Sequence, residues 1–304
     1  MKTTVIYHSA DFDGIFCREI ARKFLPDAEL VGWNHGDPLI PYPGGTVYIL
    51  DLSPDCVTEV FSGELNRLIW IDHHKSSIEK WGNDLPGYRV DGVAACRLVW
   101  QWFRKESEMA KPENAGKTWP MPTKDEYVNR SLPEPLAVLL AGEYDIWDKR
   151  DPDAELFQHG LRSQELTDHI WNQLLDTTIE PTLQIQISQI MVVHLLDGGR
   201  ILQYARTREN ESIIKAAGFT LQFEGLTFLA CNNARYNSFL FTAGLKPEHD
   251  ACFGFAWRDG KWTVSLYHAP GKEHHDLSQI AVKYGGGGHR GACGFQVKTL
   301  PFLT

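Results

Sequence analysis

The sequence predicts an α/β fold: an N-terminal, mainly parallel sheet with flanking helices, followed by a smaller C-terminal α+β domain on a mixed sheet. Three observations carry this. Over the first hundred residues, short apolar runs alternate with segments of helical period, the strand–helix–strand order of a parallel sheet. From Gly218 onward, apolar runs pair across Glu224-Gly225 and Asp259-Gly260, dipeptides that favour hairpin turns. Between these regions, residues 181–217 read as a helical connector, which sets the domains at 1–180 and 218–304.

Taken in order, Thr3-Thr4-Val5-Ile6-Tyr7 is β-branched and aromatic and reads as a buried strand. It runs into His8-Ser9-Ala10-Asp11-Phe12-Asp13-Gly14, after which Phe16, Ile20 and Phe24 recur at helical spacing up to Pro26. His8, Asp11 and Asp13 are therefore expected on a strand-to-helix turn, with Gly14 permitting a tight bend. Residues 29–33 read as a second strand and 46–50 as a third, which ends at Asp51; Ser53-Pro54 then has the cap chemistry of a helix start. Residues 67–71 form a fourth strand, which delivers Asp72-His73-His74 at its tip.

Residues 92–103 suit an amphipathic helix, and 104–131, polar and punctuated by Pro and Gly, read as a surface excursion. An apolar helix from Pro135 runs into Asp145 and Asp148, two acids three apart that share a face or turn. The connector reads as an apolar helix, a break at Gly198-Gly199 and a polar helix; in the last domain a helix around 236–244 separates the two hairpins.

Composition narrows the functions. A formal net charge of -9 leaves no global basic field of the kind that holds long duplex DNA. The six cysteines are scattered with no CxxC pair, as in buried free thiols of a reducing cytoplasm. The apolar run at the N-terminus is too short for a secretory signal, and no stretch approaches a membrane span. The expectation is a soluble, cytoplasmic protein with no membrane partner.

In parallel sheets, ligands bind beyond the carboxyl ends of the strands. Here three strand ends carry metal-ligand chemistry: His8/Asp11/Asp13, Asp51, and Asp72/His73/His74. Neutral imidazole and carboxylate suit Mn, Zn or Fe, and paired ions about 3.5–4 Å apart, held by a shared carboxylate, cleave phosphate esters through an activated water. Asp51, from a middle strand, is placed to bridge. His8 and Asp11 complete one ion in this reading, and Asp13, His73 and Asp145 the other, with Asp148 an alternative to Asp145. Asp72 reads as the outer support of His73, and His74 as the residue that faces substrate and protonates a leaving oxygen.

A second constellation lies at Gly285-Gly286-Gly287-Gly288-His289-Arg290. Consecutive glycines let backbone N–H groups turn toward an anion, and His289 and Arg290 add cationic donors. Gly286, Gly287, Gly288, His289 and Arg290 are the expected substrate-binding set. Asn232-Asn233-Ala234-Arg235 reads as a base or ribose contact, and His274-His275 as part of a solvated loop.

In this order, His8-x-x-Asp11-x-Asp13-Gly14, Asp51, Asp72-His73-His74 and Asp145 resemble the four motifs of the DHH phosphoesterase superfamily. The glycine run before His289 resembles the GGGH signature of its associated C-terminal domain. The resemblance spans nearly the whole chain and implies a binuclear Mn²⁺ centre, with His8, Asp11 and Asp51 on one ion and Asp13, Asp51, His73 and Asp145 on the other. It also implies an active-site cleft between the two domains and a second domain that grips the phosphate. The C-terminal signature speaks against the inorganic pyrophosphatases of the superfamily, and the acidic balance against a processive RecJ-like nuclease. The expected enzyme hydrolyses short oligonucleotides or small nucleotides, like a nano-RNase/pAp phosphatase. The alternatives are a cyclic or linear dinucleotide phosphodiesterase, a RecJ-like single-strand exonuclease, and a non-catalytic nucleotide-binding regulator. The oligomeric state, a homodimer included, is left open.

Overall fold

The structure, a computed structural model, describes residues 2–58, 68–82, 85–148, 150–180, 183 and 185–302. The chain forms two compact units, Met1–Leu202 and Gln203–Thr304.

The first unit is built on five strands, β1 (Thr3–His8), β2 (Glu29–Trp33), β3 (Thr46–Leu50), β4 (Leu68–Asp72) and β5 (Gly87–Arg89), in the spatial order β2-β1-β3-β4-β5. Every neighbouring pair is parallel, with Tyr7 opposite Leu50, Leu50 opposite Ile71 and Asp72 opposite Arg89, so the carboxyl ends share one edge. Both faces of the sheet are covered, which is why the inner strands β1, β3 and β4 carry near-continuous apolar runs. Val5, Tyr7, Leu50 and Ile71 pack on one side with α1 (Phe12–Phe24). Ile6, Val47, Ile49 and Trp70 pack on the other.

The remaining helices of this unit are α2 (Lys75–Trp81), α3 (Ala95–Met109), α4 (Lys124–Val128), α5 (Leu136–Asp145), α6 (Pro152–Leu161) and α7 (Asp168–Leu174). Strand β1 sits between β2 and β3, so the chain winds one way and then the other. The crevice at such a reversal, here beside His8 and Asp51, is where an open parallel sheet accommodates ligands.

Several sequence expectations are corrected here. Gly14 makes no tight bend. It lies inside α1, where a Cβ would stand 1.9 Å from the His8 carbonyl oxygen, so its value is the close approach of helix to strand. Ser53-Pro54 opens only a 3₁₀ turn, Pro54–Cys56; residues 59–67, including the expected first residue of the fourth strand, lie outside the described residues. Strand β5 is absent from the sequence expectation, because three residues around Gly87 show no apolar run. The segment 104–131 is tied into the core rather than merely exposed. Helix α3 extends to Met109, Thr123 and Glu126 form a capping box on α4, and Tyr127 is fully buried with its carbonyl accepting from Arg97.

Helix α8 (Ile187–Ala217) is continuous through Gly198-Gly199, where the sequence predicts a break. The physical reason is helix packing. A Cβ on Gly199 would meet the Leu156 carbonyl oxygen at 2.1 Å, and one on Gly160 the Leu195 carbonyl oxygen at 2.1 Å, so glycines on both α6 and α8 let the two backbones touch. That contact offsets the roughly 1 kcal/mol a helical glycine costs.

The second unit holds six strands, β6 (Gly218–Phe223), β7 (Leu226–Asn232), β8 (Ala251–Arg258), β9 (Lys261–His268), β10 (Gly287–His289) and β11 (Ala292–Val297). Their order is β6-β7-β8-β9-β11-β10, with β7–β8 parallel and the other pairs antiparallel. Both expected hairpins form. Glu224 and Gly225 (φ 50° and 78°) and Asp259 and Gly260 (φ 50° and 79°) have the paired positive φ of type I′ turns, whose twist matches the strands. The helix expected around 236–244 is only α9 (Ser238–Phe241). Helix α10 (Leu277–Lys283) packs Leu277 and Ala281 on a core of Phe223, Phe228, Phe253 and Phe295. The six cysteines are buried and free, and no helix among the described residues is long and apolar enough to cross a membrane.

Candidate metal centre

His8 is the last residue of β1, and Asp11 caps α1, its carboxylate accepting from Gly14 N at 3.1 Å. Asp13 points away from its own helix to the start of α3. Its Oδ2 accepts from Ala95 N at 2.8 Å and its Oδ1 from Cys96 N at 2.7 Å, which satisfies N–H groups that Ala94 leaves uncapped. Both oxygens are thereby held in one orientation.

Asp51 follows β3 in the left-handed region (φ 57°), a conformation that Asp adopts more readily than most residues and that here turns its carboxylate into the crevice. Its backbone N–H is held by the Ile71 carbonyl at 3.0 Å. Asp145 is the last residue of α5.

These side chains converge. His8 Nδ1 lies 3.0 Å from Asp11 Oδ2 and 3.5 Å from Asp51 Oδ2. His73 Nε2 lies 3.4 Å from Asp51 Oδ1, 3.4 Å from Asp145 Oδ2 and 3.7 Å from Asp13 Oδ2. Three overlapping groups result, His8/Asp11/Asp51, Asp13/His73/Asp145 and Asp51/Asp72/His73/His74, each with one ligand atom per residue within 4.8 Å of the others. The two oxygens of Asp51 thus face different groups. Asp148, the alternative to Asp145, is engaged elsewhere: its carboxylate takes Arg150 Nε at 2.9 and 2.8 Å.

Asp72 does something other than expected. Its buried Oδ1 accepts from His73 N at 2.7 Å and His74 N at 3.2 Å, and pairs with His74 Nδ1 at 2.7 Å. It therefore orients the ring of His74, not that of His73, which it touches only through the backbone. The half-exposed His74 is left with Nε2 as its outward ring nitrogen.

The electrostatics are those of buried acids held close together. Asp51 is 2% exposed, and its Oδ1 has no hydrogen-bond partner among the described residues. A buried carboxylate oxygen that faces histidine rings at 3.4 and 3.9 Å without a hydrogen bond is costly. Hydrogen bonds from the His8 ring to the Asp11 and Asp51 carboxylates push its pKa up to about 10. Burial lowers that of His73, but Asp51, Asp13 and Asp145 outweigh it and carry it up to about 10. Burial, then the charges of Asp51 and Asp145, raise Asp13 well above its ordinary range; burial also brings Asp145 up to about 6. For Asp51, burial acts upward but the two histidines more than reverse it. The cluster thus gathers protons to offset its acids. Hard divalent cations would do the same with a donor set of carboxylate and imidazole, so the residues fit the two-ion centre.

Sequence reasoning misses His35. Its ring lies 5.9 Å from that of His8 and edge-on to Trp33, just beyond the carboxyl end of β2. Asn34 Oδ1 accepts from Ser9 N at 3.2 Å and Ser9 Oγ at 2.9 Å, tying the ends of β1 and β2 together. The signal is present in the sequence: an imidazole just past a strand end, the same rule that finds the others.

The glycine run differs from its expected form. Gly287–His289 are the edge strand β10, paired with β11, rather than an open loop. A Cβ on Gly286 would meet the Gly294 carbonyl oxygen at 2.0 Å, and one on Gly288 would meet Cys293 Cα at 2.7 Å, so strand packing itself excludes side chains here. His289 is exposed, and Arg290 donates to the His274 carbonyl at 2.8 Å. Arg235 N donates to Asn233 Oδ1 at 2.9 Å, closing the 232–235 turn. His275 lies 3.6 Å from Asp250, and no metal-type group includes the 274–275 pair among the described residues.

No family model matches the chain. It is similar to the uncharacterized protein R106 of Acanthamoeba polyphaga mimivirus, with 24% identity over 237 residues, 75% of this chain and 47% of that protein; the chain thus spans about half the length of this relative. Among solved structures it is similar to a pGpG-specific phosphodiesterase from Vibrio cholerae (14% identity, TM-score 0.47, 98% of this chain and 93% of that one). It is also similar to the DHH domain of a member of a family of ribosomal proteins (13%, 0.48, 96% and 82%). A third is RecJ of Thermus thermophilus with Mg²⁺ (15%, 0.46, 99% and 48%). None of these TM-scores reaches 0.5, so the side-chain chemistry has to carry the function.

Proposed function

We propose that this chain is a phosphoesterase of the DHH superfamily, a hydrolase that uses two divalent ions, Mn²⁺ by preference, on short oligonucleotides or small nucleotides. The observation that supports it best is Asp51. Its buried carboxylate turns one oxygen toward His8 and the other toward His73, the geometry a carboxylate shared between two ions requires. When bound, such ions supply an activated water near neutral pH and offset charge that develops on the phosphoryl oxygens.

The chain's own residues do the rest. Asp13, fixed by Ala95 N and Cys96 N, keeps its carboxylate oriented without relying on the ions. Asp72 holds His74 through Nδ1 and keeps Nε2 outward, which suits the protonation of a leaving oxygen. A net charge of -9 favours small anionic substrates, neutralised locally, over long strands.

Hydrolysis of bis-p-nitrophenyl phosphate with and without Mn²⁺ tests the reading: the wild type should be active only with metal, and an Asp72→Ala/His73→Ala double variant inactive. Wild type no more active than the double variant would sink the enzyme. A panel of pAp, linear and cyclic dinucleotides and 3- to 24-mers of RNA and DNA then ranks substrates. The expected order has the shortest oligonucleotides first, and a preference for 24-mers would overturn that choice.

A further inference from the structure

Helix α8 is apolar on two sides, and the fold uses one. Ser188, Val192, Leu195, Leu196 and Gly199 are buried. Ile190, Val193, Ile201 and Tyr204 are instead 39, 56, 72 and 69% exposed. At about 100° per residue these four fall within an arc of about 80°, on the side of the helix away from the buried set. Two apolar pairs that span about 21 Å of helix in water, with Asp197 midway between them, are the mark of an association surface.

The spacing of the stripe identifies the occupant. Ile190 and Tyr204 each stand seven residues from Asp197, and Val193 and Ile201 each stand four, so the stripe reads the same in both directions about Asp197. A two-fold contact requires this: residue i of one copy meets residue j of the other, and j meets i. A different partner imposes no such symmetry.

We propose that this face joins two copies of the chain, their α8 helices packed antiparallel with the two-fold axis at Asp197. Ile190 then meets Tyr204 of the second copy, and Val193 meets Ile201, each contact made twice. The charges are arranged to allow it. Arg200 holds Asp197 of its own helix at 2.8 Å and also lies 3.8 Å from Asp153. It sits about one turn from the axis, within reach of Asp197 of the second copy, so the two acids at the centre are met by two guanidinium groups.

Sedimentation velocity of the full chain across the micromolar range is the first test. The wild type should sediment as a dimer and Ile201→Glu as a monomer with unchanged circular dichroism, because the position is exposed in the single chain. Cysteine cross-linking with diamide tests the axis, and the six native cysteines, all buried, leave the readout clean. Asp197→Cys should link to itself. Val193→Cys should not, since its copies lie about 12 Å apart along the axis, but should link to Ile201→Cys in mixed samples. A monomeric wild type, a dimer indifferent to Ile201→Glu, or self-linking of Val193→Cys without that of Asp197→Cys would each overturn the proposal.

Discussion

The two large sheets of this protein are joined in opposite ways, and the place of the candidate site follows the difference. In the five-stranded sheet of the first unit all neighbouring strands are parallel, so the chain crosses over between partners and leaves each strand at the same edge. His8, Asp51 and His73 come from the ends of β1, β3 and β4, and both histidines lie within 3.5 Å of Asp51. In the second unit two pairings are closed by type I′ turns, so partners are sequence neighbours and the strand ends carry turn residues instead. A parallel sheet gathers distant residues at one edge; a hairpin sheet settles its pairing locally. The first arrangement builds a site that is charged and internally frustrated, the second a stable aromatic core.

Substitutions can break this contrast in order of expected effect. Asp51→Asn keeps the shape and removes the charge between the two groups. It should lower Mn²⁺-dependent hydrolysis by about 10³-fold and abolish the Mn²⁺-induced thermal shift. A loss under tenfold would mean that the carboxylate is not shared.

Gly14→Ala places a methyl on the His8 carbonyl and should cost about 3 kcal/mol in denaturant unfolding, with weakened metal binding because His8 must move. Its counterpart Gly260→Ala, in an exposed turn with nothing within 4 Å of the added Cβ, should cost only about 1 kcal/mol and leave metal binding alone. Equal costs, or equal effects on the metal, would erase the distinction between the units.

The pH dependence should also differ in sign. In the metal-free protein His8 and His73 are raised from 6.5 to about 10, and Asp145 from 3.8 to about 6. A raised folded-state pKa stabilises fully below the unfolded value and loses that effect as pH climbs through the folded one. The first unit should therefore lose stability from about pH 4 to 10, and the gain from Mn²⁺ should grow over the same range. His249 of the second unit is lowered by burial, so its contribution is present above 6.5 and fades in acid. Hydrogen exchange resolved by unit, with and without chelator, reads both trends; a metal-free first unit that strengthens toward pH 10 would contradict the geometry.

Much of this is legible residue by residue. Strands β1 to β4 announce themselves as apolar runs, and the ligand candidates as polar residues that stop those runs. The two I′ turns are written in Glu224-Gly225 and Asp259-Gly260. What sequence reasoning misjudges are glycines and partners. Gly14, Gly199 and Gly288 look like bends, breaks and loops but serve close approach, and only the atom opposite reveals that. Asp72 reads as the support of the neighbouring histidine because adjacency in sequence does not say which ring a carboxylate faces. His35 escapes notice because the stretch around it, Asp37-Pro38 onward, reads as a turn-rich connection rather than as a strand end.

The sequence by itself determined the elements, their α/β order and the chemical kind of each strand end, because apolar period and turn chemistry act over a few residues. Only the tertiary structure decided that Asp145 rather than Asp148 joins His73, that Asp13 caps α3, and that Asp51 turns its two oxygens to different histidines. Those outcomes depend on strand order, on a left-handed φ at one residue and on which helix end lies across the crevice. All three are settled by packing between segments far apart in the chain.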